Sequence, residues 1–117
     1  MPKTILVTGA SSGFGAMTVR ELADAGHTVF AGMRNTLKAN VSAARDATEY
    51  AADRRVDLRP IDLDVGDQES VDRGIALLLD SVERLDVLVH NAGHMVLGPA
   101  EAFTTEDLAQ VYDVNVL

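Results

Sequence analysis

Eight consecutive residues, Thr8-Gly9-Ala10-Ser11-Ser12-Gly13-Phe14-Gly15, have the composition and spacing of an anion cradle. They follow the apolar run Ile5-Leu6-Val7 and lead into an Ala- and Leu-rich segment, so the glycines stand between a strand and a helix. In that context Gly9 permits a tight turn, Gly13 removes a Cβ that would hold a phosphate off the backbone, and Gly15 permits close packing of helix on strand. With Ser11, Ser12 and Phe14 between them, the glycines bare the N–H groups of the first helical turn, where the helix dipole favours negative charge. The chemistry this predicts is binding of a dinucleotide pyrophosphate. A glycine-rich turn with no ligand is the alternative.

A second candidate sits 19 positions after Gly15, where Val29-Phe30-Ala31-Gly32-Met33 ends in Arg34. An acid near this position would bond a ribose 2′-hydroxyl, whereas an Arg accommodates a 2′-phosphate, which a guanidinium grips by two parallel hydrogen bonds. The spacing therefore favours NADP(H) over NAD(H), against the alternative of a solvated surface Arg. Asp62, Asp64 and Asp67 form D-x-D-x-x-D, but without the flanking helices and closing Glu of a calcium loop. His90 and His94 share no helical face, so they make a poor metal pair.

These residues need elements to hold them. Short apolar runs bounded by breakers predict strands at Ile5–Thr8, Thr28–Ala31, Val56–Ile61 and Asp86–His90. Helical periods lie between them: residues 14–25, stopping at Gly26; Leu37, Val41, Ala44, Thr48 and Ala51; Val71, Ile75, Leu78 and Val82 after Asp67 as N-cap; and a last helix from Thr104. This βαβαβαβα order predicts an α/β fold: a Rossmann-type parallel sheet with helices on both faces, about four strands in the order 3-2-1-4, incomplete beside a six-stranded domain.

The loop is spaced G-x3-G-x-G, and TGASSGFG resembles the cofactor loop of the short-chain dehydrogenase/reductase family. LDVGD at 63–67 is similar to the stretch after that family's third strand, VHNAG at 89–93 to its NNAG motif, and the VN of YDVNVL at 112–117 to its motif on the following helix. The resemblance implies that Asp64 and Val65 hold the adenine ring, and that Asn91, Ala92 and Gly93 lie beside the cofactor. It also implies hydride transfer between NADP(H), or less favourably NAD(H), and a small carbonyl or alcohol. His90 stands where the family usually has an Asn; a strand-end His bonded to a backbone carbonyl explains it better than catalysis. The glycine spacing disfavours the related extended family of sugar-nucleotide epimerases.

The family's catalytic Tyr has a Lys four residues on, helped by a Ser and an Asn. Here Tyr50 precedes Arg54 and Tyr112 precedes Val116, so the Tyr-x3-Lys pair is absent, as is the Ser motif. Asn115 alone matches, in the role of holding a water that links to the Lys; a partly exposed Asn on a terminal turn is the alternative. Residues 1–117 are accordingly expected to be the N-terminal, cofactor-binding portion of a longer enzyme domain, and inactive alone. A non-catalytic dinucleotide-binding module is the second reading.

Charge and composition narrow the partners. Residues 1–58 carry seven basic and six acidic groups, and residues 59–117 three basic and twelve acidic. Such an acidic second half repels nucleic acid. Apolar runs are far too short for a membrane span, there is no Cys, and Pro2-Lys3 opens no signal peptide. A cytoplasmic protein is expected. The fourth strand would leave an apolar edge and the last helix an apolar flank, which predicts a homo-oligomer.

Overall fold

A computed structural model describes residues 2–91. Its four-stranded parallel sheet has the order β3-β2-β1-β4. The strands are β1 Thr4–Val7, β2 Thr28–Met33, β3 Leu58–Asp62 and β4 Val87–Val89, joined through helices α1 Gly13–Asp24, α2 Val41–Arg54 and α3 Gln68–Ser81. The expected strand order holds. The last expected helix lies outside the described residues.

Strand alternation sorts the core into two layers. Ile5 and Val7 of β1 and Val29, Ala31 and Met33 of β2 pack with Val19 and Ala23 of α1 and Ala47 of α2. Leu6, Phe30, Ile61 and Leu88 face the other way, onto Val71, Ile75 and Leu78 of α3. The sheet is therefore covered on both faces, which is why β1 and β2 read as unbroken apolar runs. Pro60 is tolerated because β3 lies at the sheet edge, where a missing N–H costs no ladder bond.

The helix ends follow local chemistry. Helix α1 stops at Gly26, whose φ of 98° suits glycine; its N–H donates to Ala23 O and that of His27 to Leu22 O, closing the last turn. Asp67 caps α3 as expected, its Oδ1 accepting from the N–H groups of Glu69 at 3.0 Å and Ser70 at 3.4 Å.

Strands β1 and β4 differ from the sequence reading by one residue at each end, and three boundaries differ by two residues or more. Strand β2 runs through Gly32 to Met33 instead of ending at Ala31. A Cβ at Gly32 would lie 3.1 Å from Val7 O, so this glycine serves close strand packing and not a stop. Strand β3 begins at Leu58, two residues late. Helix α2 begins at Val41, and Leu37 is 89% exposed. Its inward arc is Ala43, Ala44, Ala47, Tyr50 and Ala51, while Thr48 faces outward and bonds Ala44 O. Alanine offers too little hydrophobic contrast for that phase to stand out.

Asp86 fastens β4 to β1. Its carboxylate accepts the Thr4 N–H at 2.8 Å, its own N–H donates to Thr4 O at 2.9 Å, and Arg84 pairs with it at 2.9 Å. The Thr4 N–H, aided by Arg84 and Lys3, holds the Asp86 carboxyl below its ordinary value of 3.8. A depressed carboxyl stabilises the fold above its unfolded-state value, and that contribution vanishes as pH falls through the lower folded-state value. Asp86→Ala should therefore cost about 1 kcal/mol at pH 7. Urea unfolding should show the difference shrinking as pH is taken below the ordinary carboxylate range.

Candidate functional site

Parallel strands deliver all their carboxyl ends to one edge, and there the loops after β1, β2, β3 and β4 meet. Thr8 ends the first run, fully buried. Its N–H donates to Val89 O at 3.0 Å and its hydroxyl accepts the Asn91 N–H at 3.0 Å. The same hydroxyl lies 3.2 Å from Nδ1 of the half-buried His90. One side chain thus ties the start of the glycine loop to the loop after β4. The sequence alone gives Thr8 no role beyond opening the motif; its signal is a polar residue closing an apolar strand directly before a glycine.

The glycines divide their work. Gly9 and Gly13 take φ of 64° and 60°, left-handed values that glycine adopts without penalty. Gly15 is demanded by space: a Cβ there would stand 2.1 Å from Gly9 O and 2.8 Å from Asn91 Nδ2. At this position the start of the helix packs on the loop carbonyl, while its later turns pack on the strands through Val19 and Ala23. A Cβ at Gly13 would meet nothing within 4 Å. The cradle is open on that side, as an anion cradle must be. Ser12 occupies the N-cap position of α1, but its hydroxyl makes no capping bond, and Phe14 is 78% exposed. The Asn91 side chain donates from Nδ2 to Gly9 O at 3.3 Å. Ala92, Gly93 and Asn115 lie outside the described residues.

Next to the loop opens a cavity of about 430 Å³. The Ala10 N–H donates to Gly32 O at 3.0 Å and the Leu63 N–H to Met33 O at 2.8 Å, drawing the loops after β1 and β3 against the end of β2. Five expected residues, Gly9, Ser11, Arg34, Asp64 and Val65, line this cavity together. Arg34 supplies its positive charge and Asp64 its negative charge. Asp64 is held by three bonds: its N–H to Ser70 Oγ at 2.8 Å, its Oδ1 from the Gly66 N–H at 3.0 Å, and its carbonyl from the Asp67 N–H at 3.0 Å. Asn40, Gly32 and Gly66 also line the space and were not singled out from the sequence. Among the described residues no group of three or more His, Cys, Asp or Glu could hold a metal.

A polar cavity with one cation, one acid and an adjoining ring of bare backbone fits an adenosine bearing phosphate. Its residues would hold the ring and ribose, while the first-turn N–H groups of α1, which have no intrahelical acceptor, would face the pyrophosphate. The glycine roles are separable by stability. Gly15→Ala should cost about 2–3 kcal/mol through overpacking. Gly13→Ala should cost only about 1 kcal/mol, from its left-handed backbone. Urea unfolding of the two variants measures both.

Comparison with known proteins agrees with this geometry. The model of the short chain dehydrogenase family matches residues 3–117. The oxidoreductase YxnA of Bacillus subtilis is 33% identical over 113 residues, 97% of this chain and 30% of YxnA. An alcohol dehydrogenase from the archaeon Thermococcus sibiricus, complexed with 5-hydroxy-NADP, superposes with a TM-score of 0.69 at 28% identity, over 95% of this chain and 46% of that one. RhlG of Pseudomonas aeruginosa, in an active-site complex with NADP, gives a TM-score of 0.63 at 35% identity, over 78% of this chain and 34% of that one. The chain spans less than half the length of each. From Lys3 to Leu117 it belongs to the short chain dehydrogenase family.

Proposed function

We propose that residues 1–117 are the cofactor-binding N-terminal portion of an oxidoreductase that moves a hydride between NADP(H) and a small carbonyl or alcohol. The observation that carries this reading is the cavity that brings Arg34 and Asp64 beside the glycine loop. When bound, the nicotinamide supplies the hydride. The protein's own residues bind and orient: the first-turn N–H groups of α1 meet the pyrophosphate, Asp64 and Val65 hold the adenine, and the Arg34 guanidinium meets the 2′-phosphate. The NADP complexes of the Thermococcus and Pseudomonas relatives favour the same choice of nucleotide.

Asn91, Ala92 and Gly93 complete the cofactor side of this proposal, and Asn115 is its one catalytic residue. A ketone that accepts hydride needs a proton and a stabilised oxyanion. The Tyr-x3-Lys pair that would supply them does not occur within residues 1–117; a module that binds a dinucleotide without turnover is the second reading. The substrate class stays at small carbonyls and alcohols in this proposal. No described helix is long and apolar enough to cross a membrane. A cytoplasmic home and a homo-oligomer complete the proposal, and light scattering should show dimers or larger species.

Fluorescence titration tests the nucleotide choice. NADPH should bind more tightly than NADH, and Arg34→Ala should remove that preference by weakening NADPH about tenfold or more. Tighter binding of NADH would overturn the assignment. Gly13→Ala should lose most affinity for both nucleotides while remaining folded. The 117-residue chain should consume no NADPH with a panel of ketones.

A further inference from the structure

Asn40 lines the same cavity as Arg34, although it lies six positions further along the chain. We propose that Asn40 is a positioning residue for Arg34 and thereby sets the preference for a ribose carrying a 2′-phosphate. This rests on the NADP(H) reading above.

Strand β2 ends at Met33, and residues 34–40 must turn before α2 begins at Val41. Asn35 makes that turn with φ of 51°. Its carbonyl accepts the N–H groups of Lys38 and Asn40, each at 3.0 Å. The Asn40 side chain then reaches back across the turn, and its Nδ2 donates to the carbonyl of Arg34. On the preceding side the carbonyl of Met33 accepts the Leu63 N–H at 2.8 Å. The two peptide groups that flank the Arg34 Cα are therefore each fixed by a hydrogen bond. Together they set the direction of its Cα–Cβ bond.

That anchoring matters because the Arg34 side chain is exposed. A long exposed side chain loses rotamer freedom when it grips an anion. A backbone that already aims it at the cavity lowers that loss. Asn40 carries no charge and its Nδ2 is engaged with the Arg34 carbonyl, so its influence on a 2′-phosphate is assigned to the guanidinium it aims. The Thr36 N–H donates to Asp62 Oδ1 at 3.3 Å, which pins the turn to the end of β3 but leaves the Arg34 carbonyl to Asn40.

The test is a pair of dissociation constants, for NADPH and NADH, measured on the full chain and its variants. Asn40→Ala should weaken NADPH roughly tenfold, the scale of one lost positioning bond, and change NADH less than about twofold. Asn40→Leu keeps the side-chain size, has no N–H to donate and adds no charge to the cavity, and it gives up no capping bond because the Asn40 side chain makes none; it should shift the ratio the same way. If Asn40→Ala unfolds, Asn40→Leu carries the comparison. The double variant Arg34→Ala/Asn40→Ala should bind NADPH no more weakly than Arg34→Ala, since both changes remove one effect. Equal changes for both nucleotides, or none, while Arg34→Ala still abolishes the preference, would overturn the role of Asn40 alone. An Arg34→Ala variant that keeps the preference would overturn the NADP(H) reading and this proposal with it.

Discussion

Everything at the carboxyl edge depends on one close approach, that of the first turn of α1 to the carbonyl of Gly9. The gap leaves no room for a Cβ at Gly15, where it would sit 2.1 Å from that oxygen. Only glycine lets the helix start so near the strand it follows. The approach brings the first-turn N–H groups close beside the sheet edge, and it presses the Gly9 carbonyl toward Asn91 Nδ2. Gly9 and Gly13, both in left-handed conformations, are what let the chain reach that point and leave it.

Around this contact the loops are joined pairwise by hydrogen bonds. Thr8 links the glycine loop to the end of β4, Ala10 links it to Gly32, and Met33 links β2 to Leu63. No single loop forms the cavity. It exists because the parallel strands end together and these bonds hold their loops at a common level. The two hydrophobic layers do the remaining work, since α1 and α2 on one face and α3 on the other keep the strands in register.

Three carboxylates of the described part are used in two ways. Asp86 and Asp67 act structurally, one clasping a strand edge and the other capping a helix. Asp64 is tethered by its backbone and by one oxygen, which fixes where its carboxylate stands on the cavity wall. The acidic balance read from composition therefore conceals specific duties that a charge count cannot separate.

The α/β alternation, the strand order and the glycine loop were legible because each is written in short-range pattern: apolar runs, breakers, and glycines at fixed spacing. Arg34 was legible as a position after a strand, and Asp64 through the resemblance that LDVGD carries. Thr8 and Asn40 were not, because each matters through a bond to a residue close to it only in the folded chain, and an isolated Thr or Asn carries no periodic signal. Gly32 looked like a stop because sequence shows the missing side chain but not the Val7 carbonyl packed close against it. The phase of α2 was blurred by its alanines. Local composition thus determined which elements form and in what order. Which side chains share a cavity was decided by the tertiary structure, since parallel pairing brings together strand ends that lie tens of residues apart along the chain.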